Sequence, residues 1–327
     1  MLGHDRRSMA DEVTQSADGP QAWIDEGALA ALMTATHGDP FSVLGMHVVA
    51  DAVVVRALLP GADAVDATDE AGRTLARLQR QGDSALFAGI VARDGKTFPY
   101  RLKVSWSAPD KRHESAGIDA ASSAADLFDD PYSFGPLIED LDVWLLAEGS
   151  HHRPYEWLGA HPCRVDGIAG TRFAVWAPAA RRVSVVGGFN HWDGRRHMMR
   201  LRRECGVWEI FLPRVGEGDF YKYEILGADG VVRLKSDPFA FRTELRPQTA
   251  SVVQRLLPGR ATDPARQRAN ALDAPVSIYE VHLGSWQRHA DGGWLSYREL
   301  AERLIPYVVE HGFTHLELMP VHEHPFD

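Results

Sequence analysis

Apolar and polar residues alternate in short runs over much of the first 250 residues, with Gly, Asp, Asn and Pro between the runs. In residues 98–104, the apolar positions 98, 100, 102 and 104 share one face, and Arg101 and Lys103 lie on the other. Residues 221–225 alternate in the same way. A period of two with one apolar face is typical of strands that cover a core on one side and meet water on the other. The pattern predicts β-sandwiches.

An internal repeat organises this region. The segment PFSVLGMH at 40–47 has a near copy, PYEWLGAH, at 154–161. Strand-like segments follow both copies in the same order, and the copies close on similar turns, DPYSF at 130–134 and DPFAF at 237–241. Ordered matches of this kind indicate a tandem duplication of one domain.

The last part of the chain has a different pattern. Residues 277–283 and 314–320 are typical of strands, and residues 295–310 have the apolar spacing of a helix. That helix begins with a Ser296–Glu299 capping box and has Leu300, Leu304 and Val308 as its buried stripe. A strand–helix–strand unit is the start of a parallel α/β structure. We therefore expect only the beginning of a larger α/β domain here.

The predicted fold class is mainly β, with two tandem immunoglobulin-like β-sandwiches followed by the truncated start of a β/α (TIM) barrel. A connector helix is expected at 137–148, because its apolar residues have helical spacing and Gly149 follows it. The predicted boundaries are a disordered tail at 1–27, a first sandwich at 28–136, the connector and second sandwich at 137–250, a linker at 251–275 and the incomplete barrel at 276–327.

Composition and charge narrow the class of protein. The net charge of −10 over 327 residues argues against nucleic acid or an anionic membrane as the main partner. Cys163 and Cys205 are too few for a disulfide framework, which favours a reducing cytoplasm. Neither a signal peptide nor an apolar run of membrane-spanning length is evident in the sequence. We expect a cytoplasmic monomer without a cofactor.

One loop carries candidate binding chemistry. The segment GGFNHWD at 187–193 predicts a turn after a strand, with Trp192 exposed. An exposed indole can stack on the apolar face of a pyranose while amide and ammonium groups bind its hydroxyls. Trp192, Asn190 and Lys222 are therefore the predicted carbohydrate-binding residues. The alternative is that Trp192 covers the sandwich edge and Lys222 is solvated. The first copy has residues 62–69 in place of this loop, and its binding face is expected to be weak or lost.

Acidic and histidine residues near the end of the chain are weaker candidates. His322 and His324 flank Glu323, but no third ligand is evident, so no metal site is predicted. Glu323 follows the second strand, where barrel enzymes carry their chemistry. Glu280, His282 and Glu317 lie in or just after the two strands. Glu280 and Glu317 are expected to point into a barrel interior and form hydrogen bonds there.

These segments together resemble bacterial glycogen branching enzymes, which belong to the α-amylase-like family. The sequence YEVHLGSW at 279–286, with SYREL at 296–300 and GFTHLELMPV at 312–321, looks like the opening of their catalytic barrel. Residues 39–47 look like their first N-terminal module, and residues 155–241 are similar to their glycogen-binding sandwich. The resemblance covers nearly everything from residue 37 to residue 327.

The resemblance implies a retaining transglycosylation on α-1,4-glucan or glycogen, in which a cleaved chain is transferred to a 6-hydroxyl to form an α-1,6 branch. Retention requires two carboxyl groups about 5–5.5 Å apart. In the family these residues lie on later barrel strands, so no catalytic residue is assigned and the fragment is expected to be inactive alone. The alternatives are a non-catalytic α-glucan-binding protein and a fragment of a related debranching or trehalose-releasing hydrolase.

Overall fold

The computed structural model describes residues 24–106, 126–245, 247–256, 261 and 263–321. The chain forms two compact units, Met1–Arg255 and Leu256–Asp327. Among the described helices, none combines the length and apolar character that crossing a membrane requires.

The first module opens with helix α1 (Glu26–Met33), which Asp25 caps by accepting a 2.9 Å hydrogen bond from the Ala28 amide. The helix therefore starts inside the segment predicted to be a disordered tail, whose residues 1–23 lie outside the described part of the chain. The strands of the first module are β1 (Gly45–Val49), β2 (Ala52–Leu58), β3 (Ala62–Thr68), β4 (Thr74–Arg80), β5 (Leu86–Ala92), β6 (Arg101–Trp106) and β7 (Asp126–Phe128).

These seven strands run in the order β1-β2-β5-β4-β3-β6-β7. Strand β4 pairs with β3 through one stretch and with β5 through another, so the sheet is continuous and folds over its own core. That core contains Val55, Phe87, Leu102 and Val104 among its buried residues. The predicted apolar face of residues 98–104 is thus confirmed, although β4 joins the two expected layers into one sheet.

The second module is a sandwich of two sheets. Its strands are β8 (Gly159–Val165), β9 (Ile168–Trp176), β10 (Arg182–Gly187), β11 (Arg200–Arg202), β12 (Val207–Pro213), β13 (Phe220–Leu226), β14 (Val232–Lys235) and β15 (Ser251–Val252). One sheet has the order β11-β12-β9-β8, and the other has β10-β13-β14 with β15 also on β13. Phe173, Trp208 and Tyr221 pack in the core between them.

The second module extends beyond the boundary predicted at residue 250. Ser251 pairs with Tyr221, and Val253 is fully buried in the core. A two-residue strand has no periodicity that a sequence pattern can reveal, which explains why this segment was expected to be linker.

The polar residues of β10 are buried. Arg182 and Ser184 are both almost inaccessible to solvent. The Arg182 guanidinium donates a 2.8 Å hydrogen bond to the Ala35 carbonyl of the first module and contacts the Glu224 carboxylate at 2.8 Å. The first module therefore covers this face, and its polar residues are satisfied internally.

The connector helix α2 (Asp140–Glu148) ends as predicted at Gly149, which adopts φ 72°. Its Val143 packs against Val207 on the outer face of the second module. The Glu209 carboxylate on the same face accepts 3.0 Å hydrogen bonds from the amides of Leu137 and Ile138. The connector is thus fixed to the sandwich that it precedes.

The repeat is visible in three dimensions. One-turn 3-10 helices at Pro40–Ser42 and Pro154–Glu156 open the two copies. Each is followed by a glycine with positive φ, Gly45 at 95° and Gly159 at 103°. A Cβ on Gly45 would lie 2.8 Å from the carbonyl oxygen of Tyr132, and one on Gly159 would lie 2.9 Å from that of Phe239. In both copies, therefore, this glycine lies close to the turn that ends the copy.

The second unit contains a strand–helix–strand crossover. Its elements are α3 (Pro264–Ala269), β16 (Ile278–Val281), α4 (Leu283–Trp286), α5 (Tyr297–Glu310) and β17 (His315–Leu318). Strands β16 and β17 are parallel. The Ser296–Glu299 capping box and the buried stripe of α5 are confirmed. Strand β16 is shorter than predicted because the chain turns into α4, and α3 lies in the segment predicted to be linker. The barrel itself remains a prediction.

Candidate functional site

The loop after β10 has a tightly constrained backbone. A 3-10 helix at Gly188–Asn190 leads into His191 and Trp192, which both have positive φ, 57° and 59°. The Trp192 amide donates a 3.0 Å hydrogen bond back to the Gly187 carbonyl. A Cβ on Gly187 would lie 2.3 Å from the Phe220 carbonyl oxygen, so only glycine fits there. Two adjacent non-glycine residues in the left-handed region are unusual, and such strain occurs preferentially at functional sites.

Trp192 is presented to solvent by this backbone, with 42% of the residue exposed. Within the described part of the chain its indole makes no hydrogen bond or ring contact. A large aromatic surface is therefore held open on a rigid support. This is the geometry expected of a platform on which a sugar ring stacks.

Asn190 does not reach solvent, contrary to its predicted role as a ligand-binding amide. It is buried, and its Oδ1 accepts a 2.9 Å hydrogen bond from the Gly187 amide. Its Nδ2 donates to the Val185 carbonyl at 2.8 Å and lies 2.9 Å from Nδ1 of His197. Because both amide protons and the oxygen are engaged inside the protein, Asn190 shapes the loop and contacts no ligand from this position.

Lys222 lies at the same end of the sheet. The pairing of β10 with β13 places Lys222 opposite Val186, one residue from the Gly187–Tyr221 pair at which the loop begins. Its side chain is half-buried, and Nζ donates a 2.7 Å hydrogen bond to Oγ1 of Thr249. An ammonium group has three donors, so this contact orients Lys222 and leaves donors for a ligand.

The residues that follow Trp192 contact one another and the first module. The sequence did not indicate these contacts. Asp193 forms a 2.7 Å ion pair with Arg195. Burial raises the pKa of Asp193, but its hydrogen bonds with Arg195 outweigh burial and bring the pKa below its usual value. The Arg196 guanidinium donates to the Pro60 carbonyl and lies 5.3 Å from the ring centroid of Trp106. The Met198 amide donates a 3.0 Å hydrogen bond to the Tyr132 hydroxyl.

The first module has a regular strand where the second has this loop. Residues 62–68 form β3, which pairs with both β4 and β6. The turn that follows is closed by an ion pair between Asp69 and Arg73 at 2.7 Å and carries no aromatic residue. The first module accordingly offers no counterpart to the Trp192 platform in this turn.

The acidic candidates of the second unit lie on one face of its small sheet. Glu280 and Glu317 are register partners, and both are exposed on the side away from α5. Neither carboxylate forms a hydrogen bond within the described residues, so the predicted internal bonding is not observed there. His282 contacts Ser285 at 3.0 Å. His322, Glu323 and His324 lie outside the described residues, and the described ones contain no group of three that could hold a metal ion.

Comparison with known proteins supports this picture. Residues 25–117 match the family model described as the N-terminal domain of alpha-1,4-glucan branching enzyme GlgB. Residues 157–240 match carbohydrate-binding module 48, the isoamylase N-terminal domain. These matches confirm the resemblance to the N-terminal part of a glycogen branching enzyme, and the second of them includes the whole Trp192 loop.

Solved structures with similar folds include two pullulanases. One, from Anoxybacillus sp. LM18-11 in complex with maltotetraose, has a TM-score of 0.37 at 18% identity, over 86% of this chain and 38% of that chain. The other, from Bacillus subtilis str. 168 in complex with maltose, has a TM-score of 0.38 at 20% identity, with the same coverages. The chain thus spans less than two fifths of the length of these proteins, and similarity at this level does not bear on its chemistry.

Proposed function

We propose that this chain is the N-terminal part of a 1,4-α-glucan branching enzyme and that its second module binds α-glucan through Trp192. The observation that carries the proposal is the exposed indole of Trp192 on a constrained loop, inside the segment that matches a carbohydrate-binding module. Lys222 supplies a donor beside it, and Asn190 maintains the loop. The binding partner is α-1,4-glucan or glycogen.

Glucan binding is tested by affinity electrophoresis of the pure chain in gels containing glycogen. The wild type should be retarded, and Trp192→Ala should be retarded clearly less. Trp144→Ala is the matched control, because Trp144 is 55% exposed but lies on α2, away from the loop. Equal retardation of Trp192→Ala and wild type would refute the site.

The catalytic part of the proposal is a retaining transfer that forms α-1,6 branches. Retention needs a nucleophile and an acid/base about 5–5.5 Å apart. We assign neither role here and propose that Glu280 and Glu317 are structural residues facing the interior of a β/α barrel. The 327-residue chain should then leave amylose unbranched. An increase in α-1,6 linkages after incubation of amylose with the pure chain would contradict this expectation.

The setting proposed for this function is the cytoplasm, with the chain acting as a monomer. Cys163 and Cys205 are both free thiols, which is consistent with a reducing compartment. Analytical ultracentrifugation of the chain tests the oligomeric state, and a concentration-independent monomer is the expected result.

A further inference from the structure

A second concave surface lies between the two modules, on the same compact unit as the Trp192 loop. It is a cleft of about 520 Å³ between the segment 38–42 of the first module and residues 200–204 of the second, with Pro136 of the connecting segment at its side. Ligand-binding clefts have volumes of about 300–1,000 Å³ and occur preferentially where domains meet. The cleft is thus large enough for a short oligosaccharide.

The polar groups of the cleft include donors and acceptors that have no partner among the described residues. Asp39 precedes the 3-10 helix Pro40–Ser42, yet its carboxylate makes no capping hydrogen bond and no ion pair with a described residue. The exposed Arg203 guanidinium is likewise uncommitted within the described residues. Arg200 donates one 3.0 Å hydrogen bond, to the Phe134 carbonyl, which leaves most of its N–H groups without a protein acceptor among the described residues.

Apolar surface accompanies these groups. The Arg200 guanidinium stacks 3.9 Å from the centroid of the Phe41 ring, which fixes the orientation of both side chains. Pro136 and Leu201 line the cleft as well. A pyranose presents an apolar face and a rim of hydroxyls that both donate and accept, so a site for it needs surfaces of both kinds.

The charges of the cleft favour a neutral ligand over an anion. Arg202 is paired with the buried Glu209 at 3.2 Å. The other two arginines of the lining, Arg200 and Arg203, are matched in number by Asp39 and Glu204, and Glu204 also lies 4.0 Å from Arg202. A phosphate would meet two carboxylates in the lining, whereas vicinal sugar hydroxyls can donate to a carboxylate and accept from a guanidinium.

We propose that this cleft is a second α-glucan-binding site, with Asp39 and Arg203 as its hydrogen-bonding residues. The choice of ligand class rests on the proposed function of the Trp192 site, but the cleft has its own residues. Two sites on one compact unit would bind a polymeric glucan with an avidity that neither has alone.

Calorimetric titration of the full chain with maltoheptaose tests the cleft in a Trp192→Ala background. This variant should retain measurable binding. Adding Asp39→Ala and Arg203→Ala should weaken the remaining affinity at least tenfold. The matched control adds Asp83→Ala and Arg93→Ala instead. Asp83 and Arg93 are an exposed acid and an exposed base of the first module that lie outside the cleft, so these substitutions should leave the affinity unchanged. Thermal melting should be unaffected, because the side chains of Asp39 and Arg203 form no hydrogen bond or ion pair with the described residues, and the backbone bonds of Asp39 to His37 and Ser42 do not depend on its side chain.

The possible results separate the two sites. Loss of all binding in Trp192→Ala alone, or indifference to the Asp39 and Arg203 substitutions, would overturn the cleft and leave the Trp192 site intact. Equal binding by wild type and Trp192→Ala, abolished by the cleft substitutions, would support the cleft and refute the Trp192 site. Binding of glucose 1-phosphate that Asp39→Ala strengthens would show an anion site and would overturn the assignment of a neutral ligand.

Discussion

The hydroxyl of Tyr221 donates a 2.6 Å hydrogen bond to the carboxylate of Asp237 in the interior of the second module. The first module contains the same pair, with Tyr100 donating to Asp130 at 2.5 Å. Each aspartate opens the turn that closes its copy. Tyr221 lies in β13, and Tyr100 immediately precedes β6. The sequence repeat therefore conserves a buried bond between strand and closing turn as well as a chain path.

Loss of the hydroxyl should be more costly in the first module than in the second. Among the described residues, Tyr100→Phe leaves the buried Asp130 carboxylate with one hydrogen bond, the 3.0 Å bond from the Tyr132 amide. Asp237 keeps the Tyr223 hydroxyl at 3.2 Å after Tyr221→Phe. We expect Tyr100→Phe to lower the free energy of unfolding by about 1–3 kcal/mol and Tyr221→Phe to lower it less. Urea denaturation measures both, with Tyr297→Phe as an exposed control; the reverse order would contradict this reading.

Burial of Asp130 should make the stability of the chain depend on pH. Burial raises the pKa of Asp130 to about 6. Between about pH 4 and pH 6, Asp130 is therefore protonated in the folded state but ionised in the unfolded state. Its protonation stabilises the folded state, and this contribution to the free energy of unfolding is complete below about pH 4 and is lost as the pH rises to 6.

The difference in unfolding free energy between wild type and Asp130→Asn isolates this effect. Since Asn does not titrate, the stability of wild type relative to the variant should fall between pH 4 and pH 6, by at most about 1.4 kcal/mol per pH unit. Carboxylates with lowered pKa, such as Asp193, are present in both proteins and cancel in the difference. A difference that is flat over this range would show that Asp130 is ionised throughout.

The sequence pattern correctly predicted elements that depend on residues close to one another in the chain. The alternation around Tyr100 and the capping box at Ser296 depend on neighbours within a few residues, and the structure confirms both. Arg182 and Asn190 show where such reasoning ends. Asn190 was expected to bind carbohydrate but forms its bonds inside the protein, to Val185, Gly187 and His197. Arg182 is buried where it donates to the Ala35 carbonyl of the first module, a contact between segments far apart in the chain.

The cleft between the modules was also beyond sequence reasoning. Its two sides, Asp39 and Arg203, are separated by most of the two modules in the chain and come together only through the packing of one module on the other. The internal repeat did not predict the cleft either. The motif before β1 contributes residues to the cleft, whereas its copy before β8 does not.

The repeated glycines should tolerate no side chain. Gly45→Ala combines a φ of 95° with a Cβ 2.8 Å from the Tyr132 carbonyl oxygen. We expect it to lower the free energy of unfolding by about 1–3 kcal/mol. Gly218→Ala separates the two causes, because Gly218 has a similar φ of 98° but open space around the added Cβ. Thermal melts should rank Gly45→Ala below Gly218→Ala; equal melting temperatures would mean that the contact with Tyr132 relaxes at no cost.

Substitutions at Asn190 and Trp192 should distinguish an effect on stability from an effect on glucan binding. Asn190→Ala leaves the buried Gly187 amide and Val185 carbonyl without their side-chain partner, which should cost about 1–3 kcal/mol and disorder the platform. Trp192→Ala removes an exposed ring without ring contacts among the described residues, so its melting temperature should stay close to that of wild type. Both variants should be retarded less than wild type in glycogen gels. Lost retardation with an unchanged melting temperature in Asn190→Ala would instead show that its amide contacts glucan directly.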